Sequence, residues 1–416
     1  MRLCLTACIL AAFVTTAALA QPSDPRLKNS YTFQKDGWTY IHLQGTPSEI
    51  GFQHGYLLAT QIADNLKTIE LENTHEVGKP WPYFRTIAKD QIMPHIEPEY
   101  RAELQGIADG VQAAGQNIDL LDIVALNAHL EVSDYYIPWL FQREGKGVPV
   151  APGRCSAFIA TGAATKDGKI VIAHSNWSAY MEGEHWTTVF DIVPTKGNRI
   201  LMDGSPGLIH SGDDFGVNSA GIMITETTLP MFKGWNPSGI PEFIRARKAM
   251  QYANNIDQFV SIMREGNNGG YANSWLVGDR KTNEIAYLEL GLKHTPLTRK
   301  TTGYFVSANF PVNPDLIRDD TPGFDTHDMK STMNARHVRA EEFIQQHLGH
   351  LDTALAEQYL SPTITTAMST RSSQAAAASA ATKTSPKIPN PPGTRPPTPP
   401  AEPLPAKSWT PQWRSA

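Results

Sequence analysis

The chain has 416 residues, 41% hydrophobic and 19% charged, with 36 Lys+Arg against 41 Asp+Glu, a formal net charge of −5 and a pI near 6.2. It is long enough to bury a sizeable core, and without a basic excess it does not read as a general nucleic-acid binder. Three cysteines exclude a disulfide framework, and no apolar run is long enough to predict a membrane span.

Residues 1–20 read as a cleavable secretory signal. Arg2 supplies the positive start, Ile9 to Ala18 the apolar run, and Ala18-Leu19-Ala20 a small-x-small cleavage site before Gln21. Leu5-Thr6-Ala7-Cys8 has the look of a lipobox, but Cys8 precedes the apolar run where a lipidated cysteine follows it. Export to the periplasm or the outside is expected. Cleavage after Ala20 removes Cys4 and Cys8, leaving Cys155 as the single cysteine of the mature chain.

Residues 21–154 are expected to be mostly helical, with apolar positions at helical spacing over 47–66, 97–114 and 119–131. Residues 142–154 are a polar linker with glycines and prolines. From 155 to 360 strands dominate: Cys155 to Thr161, a hairpin signal at Lys166-Asp167-Gly168-Lys169, then Ile170 to Ala173, Thr187 to Val193, Arg199 to Met202 and Ile222 to Thr225. Helices over 240–253 and 256–265 precede strands at Ser274 to Val277, Glu284 to Leu290 and Tyr304 to Ser307, and a last helix covers 331–348. The fold class is therefore α+β, with paired, largely antiparallel sheets covered by helices. Residues 361–416 hold 12 of the 31 prolines among Ala, Ser and Thr runs and predict a disordered tail. A passive extension is the simpler reading of it; a spacer contacting a cell wall or membrane, with Trp409 and Trp413 docking, is the other.

Cys155 is either a buried inert residue or a thiol kept for its chemistry. Its place, directly after the linker and at the head of the strand-rich part, favours the second. A cut between Arg154 and Cys155 would give Cys155 its own α-amine, with a pKa of roughly 7.7–8.0, a built-in general base for the thiol.

Cys155-Ser156-Ala157-Phe158, a hairpin, and Ala173-His174-Ser175-Asn176-Trp177 together resemble the phospholipase B-like proteins, which are N-terminal nucleophile (Ntn) hydrolases. The likeness continues in order through Ser205-Pro206-Gly207, Ser211-Gly212-Asp213-Asp214-Phe215, Thr225-Glu226-Thr227-Thr228, Asn268-Gly269-Gly270-Tyr271-Ala272-Asn273-Ser274-Trp275 and Ala308-Asn309-Phe310-Pro311. Gly51-Phe52-Gln53-His54-Gly55, Glu103-Leu104-Gln105-Gly106-Ile107-Ala108 and Ala125-Leu126-Asn127-Ala128-His129-Leu130-Glu131 are more similar to the penicillin acyltransferase-type hydrolases, a sister group. Both groups share a four-layer αββα sandwich.

The resemblance implies a precursor that cuts itself between Arg154 and Cys155, giving a small chain of 21–154 and a large chain from 155. Arg154 departs from the acyltransferase group, where a small residue is common. Cys155 is then the nucleophile towards an amide or ester of an acylated small molecule, without cofactor. By family position Asn273 donates to the oxyanion, and His174 either orients the α-amine or contacts substrate. Trp177 lines the pocket, Thr227 or Thr228 binds the terminal amine, Asp191 is a further orienting candidate, and Asn309 lies near the pocket. Ser156 should point to the opposite face from Cys155, and Asp213-Asp214 reads as a structural turn. The 13 histidines show no metal-ligand spacing, so no metal is expected. Three rivals stay open: acyl transfer to an amine, a papain-type Cys–His hydrolase that needs no cut, and a non-catalytic envelope protein binding through its tail.

Overall fold

The computed structural model describes residues 24–145, 155–212 and 215–360. The expected signal segment, Arg154 with most of the linker, Asp213, Asp214, and the tail from 361 with Trp409 and Trp413 lie outside the described residues. Within them the chain is α+β, with a large mixed sheet and a small one. No described helix is long and apolar enough to cross a membrane.

The described residues form twelve strands: β1 Tyr31–Lys35, β2 Trp38–Gly45, β3 Ser156–Thr161, β4 Val171–Ser175, β5 Thr188–Pro194, β6 Ile200–Gly204, β7 Gly216–Asn218, β8 Ile222–Thr228, β9 Asn273–Asp279, β10 Glu284–Leu290, β11 Leu297–Lys300 and β12 Gly303–Ser307. The nine-stranded sheet runs β1-β2-β5-β6-β7-β8-β9-β10-β11, and the three-stranded sheet runs β12-β3-β4. Neighbours are antiparallel except β2 and β5, which pair in parallel. The segment before the linker is thus not helix alone. Asp36 and Gly37, both at positive φ, turn the β1–β2 hairpin in the sense that matches strand twist. Through β2 that hairpin joins the large sheet.

The helices are α1 Pro47–Leu57, α2 Ala59–Val77, α3 Trp81–Ile87, α4 Pro98–Ala113, α5 Leu120–Asn127, α6 His129–Glu131, α7 Ile137–Arg143, α8 Tyr180–Gly183, α9 Glu242–Tyr252, α10 Ile256–Arg264, α11 Pro314–Asp319, α12 Thr332–Gln346 and α13 Thr353–Leu360. Thr46 and Glu49 form a capping box that starts α1, with Pro47 in its first turn. Glycines let α1 cross α4 at backbone contact. A Cβ on Gly51 would sit 1.9 Å from the Glu103 carbonyl oxygen, and one on Gly106 2.5 Å from that of Ser48. This gives a packing reason for the Gly51–Gly55 and Glu103–Ala108 stretches.

Apolar burial arranges these parts in layers. Ala157 and Ile159 of β3 meet Leu276, Ile285 and Tyr287 between the two sheets. Phe158 and Ala160 on the other face of β3 meet Phe343, Ile344 and Tyr359 of α12 and α13. The remaining face of the large sheet, with Phe190, Trp275 and Leu288, packs on the other helices in the main core. β3 is buried on both faces, which is why it reads as a short continuous apolar run and not as an alternating one.

The early helices hold the later segment by buried hydrogen bonds. His54 Nε2 accepts from the Gly207 N–H at 3.0 Å, Asn65 donates to the Pro206 carbonyl at 2.8 Å, and Asn127 bonds both Gly207 and Ile209. Burial holds His54 neutral, with its pKa pushed down to about 3, so its ring nitrogen is an acceptor. Ser205-Pro206-Gly207 therefore serves as a docking segment between the two parts of the chain.

Candidate active site

Cys155 immediately precedes β3 and is 5% exposed. Side chains alternate along a strand, so Cys155 shares the inter-sheet face of Ala157, and Ser156 shares the α12 face of Phe158. The hydrogen bonds agree. The Cys155 thiol lies 3.4 Å from Asn176 Oδ1 and donates to it. The Ser156 hydroxyl accepts from Arg336 of α12 at 3.0 Å. The same Arg336 nitrogen donates to the Cys155 carbonyl, and its other terminal nitrogen donates to Asn309 Oδ1 at 2.9 Å.

β4 pairs beside β3 with His174 opposite Ala157, which turns the imidazole to the same inter-sheet face. One donor atom each from Cys155, His174 and Glu226 lie within 4.8 Å of one another. Burial pushes the His174 pKa down to about 4, so the ring is neutral at ordinary pH. Its Nε2 is buried and has no hydrogen-bond partner among the described residues. Glu226 is fully buried on β8 and accepts from the Tyr271 hydroxyl at 3.0 Å. This thiol–imidazole–carboxylate set is also the one described group with donor types suited to a metal of the zinc class.

Asn309, at φ 56° just past β12, gathers the neighbouring polar groups. Its N–H donates to Thr227 Oγ1 at 3.2 Å and its amide nitrogen to the Thr228 carbonyl at 2.9 Å. Thr227 Oγ1 also lies 2.6 Å from Ser307 Oγ. Of the two threonines, Thr227 points into the space between the sheets, while Thr228 engages Asn309 through its backbone. Thr228 pairs in register with Asn273 at the head of β9. Asn273 is fully buried, and neither polar atom of its side chain has a hydrogen-bond partner among the described residues. Burying an amide unbonded costs roughly 1–3 kcal/mol, so its retention calls for a reason.

Two expected residues sit differently. Trp177 is 46% exposed, and its indole N–H donates to Ser175 Oγ at 2.9 Å. Asp191, on β5, is engaged by Arg199 at 2.6 and 2.7 Å and by His42 at 2.7 Å, and these bonds run to β2 and to the residue before β6 and not to Cys155.

Glu226, Asn176 and Arg336 were not among the residues singled out from the sequence. Glu226 and Asn176 stood inside stretches already noted, Thr225–Thr228 and Ala173–Trp177. Arg336 lies on a helix with no local motif, 181 residues from the carbonyl it binds. A second relay runs from the early part of the chain. Glu131 accepts from the Phe243 N–H and from Asn268, and Asn268 in turn accepts from Gly270 N. That turn leads into Tyr271, the partner of Glu226.

Residues 90–287 match the family model described as Phospholipase B. Phospholipase B-like 1 of Bos taurus is 31% identical over 140 residues, covering 31% of this chain and 25% of that protein. Phospholipase B-like protein C of Dictyostelium discoideum is 25% identical over 200 residues, covering 42% and 35%. An uncharacterized protein of Archaeoglobus fulgidus is 28% identical over 265 residues, covering 60% and 42%. The aligned regions span less than half the length of these relatives. Among solved structures, a variant of the conjugated bile acid hydrolase from Clostridium perfringens aligns at a TM-score of 0.26 and 9% identity, over 50% of this chain and 71% of that one.

Proposed function

We propose, on the premise that residues 90–287 carry a phospholipase B-type segment, that this protein is an exported, self-processing cysteine Ntn hydrolase. In this reading its sheets and flanking helices are the αββα sandwich of that superfamily. It cleaves an amide or ester bond of an acylated small molecule through an acyl-enzyme on Cys155. The observation that carries the proposal is a buried thiol at the head of a central strand, beside a neutral imidazole and a buried carboxylate.

In the precursor, Cys155 Sγ attacks the carbonyl carbon of Arg154. The peptide C–N bond breaks, the nitrogen keeps the thiol proton as it becomes an amine, and a thioester forms. Water cleaves the thioester and returns the thiol. In the mature chain the α-amine takes the thiol proton as Sγ attacks the substrate carbonyl, then passes it to the leaving amine or alcohol. Water, activated the same way, resolves the acyl-enzyme; an acceptor amine in its place gives acyl transfer. The unbonded Asn273 amide suits the oxyanion of the tetrahedral intermediate, where one donor is worth roughly 2.7–4 kcal/mol. Arg336 holds the Cys155 backbone and keeps positive charge beside the nucleophile, which favours the thiolate.

A second reading rests on the same geometry. Cys155, His174 and Glu226 have the residue types of a thiol–imidazole–carboxylate hydrolase that works uncut, with His174 as base. The direct test of either is hydrolysis of a panel of acyl esters and acyl amides by the wild-type protein and its Cys155→Ala variant. Release of free acid by the wild type alone is expected. Equal rates for both proteins, or none with any substrate, would overturn the hydrolase assignment.

A further inference from the structure

The donors around Cys155 also form a set with a chemistry of its own. A thiolate, an imidazole nitrogen and a carboxylate oxygen are the three side-chain ligand types of zinc, and three protein ligands leave a fourth tetrahedral position open. Bond lengths in such a site place donors roughly 3.3–3.6 Å apart. The donors of Cys155, His174 and Glu226 already lie within 4.8 Å of one another, so side-chain rotation of about 1 Å closes the set on an ion. Cys155 and Glu226 are buried, and the buried Nε2 of His174 has no hydrogen-bond partner among the described residues. A ligating carboxylate is normally oriented by an outer hydrogen bond, and the Tyr271 hydroxyl supplies one to Glu226 at 3.0 Å. Ions that require oxygen ligands, such as calcium or magnesium, do not suit a thiolate. Arg336 opposes a cation through its charge, but the thiolate and the Glu226 carboxylate bring two negative charges against its one.

We propose that Cys155, His174 and Glu226 bind one divalent cation of the zinc class, and that the bound ion masks the Cys155 thiolate. Binding releases the thiol proton to solvent and forms a metal–sulfur bond; no redox step is involved. The site shares its residues with the proposed hydrolase site but does not depend on that function, because occupancy is read without substrate. If both hold, zinc keeps the nucleophile silent until a chelator or a competing ligand removes it.

The test is anaerobic titration of the full chain, stripped of metal by a chelator, first with Co2+ and then with Zn2+. One equivalent of Co2+ should give a thiolate-to-cobalt charge-transfer band, bleached by one equivalent of Zn2+ and absent in Cys155→Ala. Glu226→Gln should weaken binding by about tenfold or more, and Tyr271→Phe by a smaller factor of the same sign. Zinc should slow alkylation of Cys155, and chelator should restore the rate. Thermal melts of the metal-free variants separate lost binding from lost folding, and Tyr271→Phe is the variant least apt to disturb the fold. Absence of the band in the wild type, its survival in Cys155→Ala, or an alkylation rate indifferent to zinc would each overturn the site. A protein that binds cobalt but hydrolyses nothing leaves this site standing and removes the hydrolase; an active enzyme with no cobalt band does the reverse.

Discussion

Arg336 donates to the backbone carbonyl of Cys155 and, from its other terminal nitrogen, to the side-chain oxygen of Asn309. One buried guanidinium therefore ties α12 to the start of β3 and to the end of β12. Replacing it with methionine leaves the Cys155 carbonyl, the Ser156 hydroxyl and Asn309 Oδ1 without their donor. Arg336→Met should destabilise the protein by about 3 kcal/mol, read as a lower urea midpoint. Arg336→Lys keeps the charge but not the fork, and should recover only part of the stability.

Asn273 separates catalysis from stability. Its amide is buried with no described partner, so removing it relieves a desolvation cost. Asn273→Ala should lower kcat by about 10²–10³-fold while leaving thermal stability unchanged or slightly raised. A large loss of stability with kcat intact would show the amide to be structural.

Acid should weaken the fold through buried histidines. Burial lowers the pKa to about 4 for His174 and to about 3 for His54 and His210, against about 6.5 in the unfolded chain. Between those values the unfolded state binds more protons, so stability falls as pH drops from about 6.5 towards 4, by up to about 1.4 kcal/mol per pH unit for each such histidine. His129 acts in the opposite sense: its pKa is raised, with Glu182 opposing the effect of burial, so its contribution is present below its unfolded value and lost as pH rises through the folded one. His337 is lowered by burial in the same way, so the buried histidines give a loss on acidification, and Glu103, Glu131 and Glu289, raised by burial, offset part of it together with His129. Urea midpoints at pH 7 and pH 5 check this, and His54→Gln should flatten the slope.

The α1–α4 crossing reverses a usual rule. Glycine to alanine inside a helix ordinarily stabilises by roughly 0.5–1 kcal/mol. At Gly106 the added Cβ would stand 2.5 Å from a backbone oxygen of α1. Gly106→Ala should therefore destabilise by about 2 kcal/mol or more, measured as a shift in denaturant midpoint at constant m.

Much of this was legible in the residues. β10 runs Glu284–Leu290 as expected, and β3, α9, α10 and α12 fall within a residue or two of their expected bounds, because each pairs a clear apolar pattern with a turn or cap. Two of the four missed strands, β1 and β11, lie at sheet edges, while β2 and the three-residue β7 lie inside the large sheet. β1 is exposed along its whole length and β11 is mostly polar, so neither carries the alternation that burial imposes. Asp36-Gly37 and the alternation of β2 marked the β1–β2 hairpin. At the site, Cys155, His174, Asn273, Thr227 and Asn309 stood in recognisable stretches. Arg336 did not, because its role is set by tertiary packing across 181 residues of chain. Glu226, on β8, comes within reach of Cys155 and His174 only through tertiary structure, which sequence spacing alone does not encode.

The most direct test of the central claim is the intact mass and N-terminal sequence of the purified protein beside its Cys155→Ala variant. The expected result is two wild-type chains, the larger beginning Cys155-Ser156-Ala157-Phe158, with the variant uncut. A single wild-type chain that hydrolyses acyl substrates through Cys155 while still joined to Arg154 would contradict self-processing and leave the uncut Cys155–His174–Glu226 hydrolase in its place.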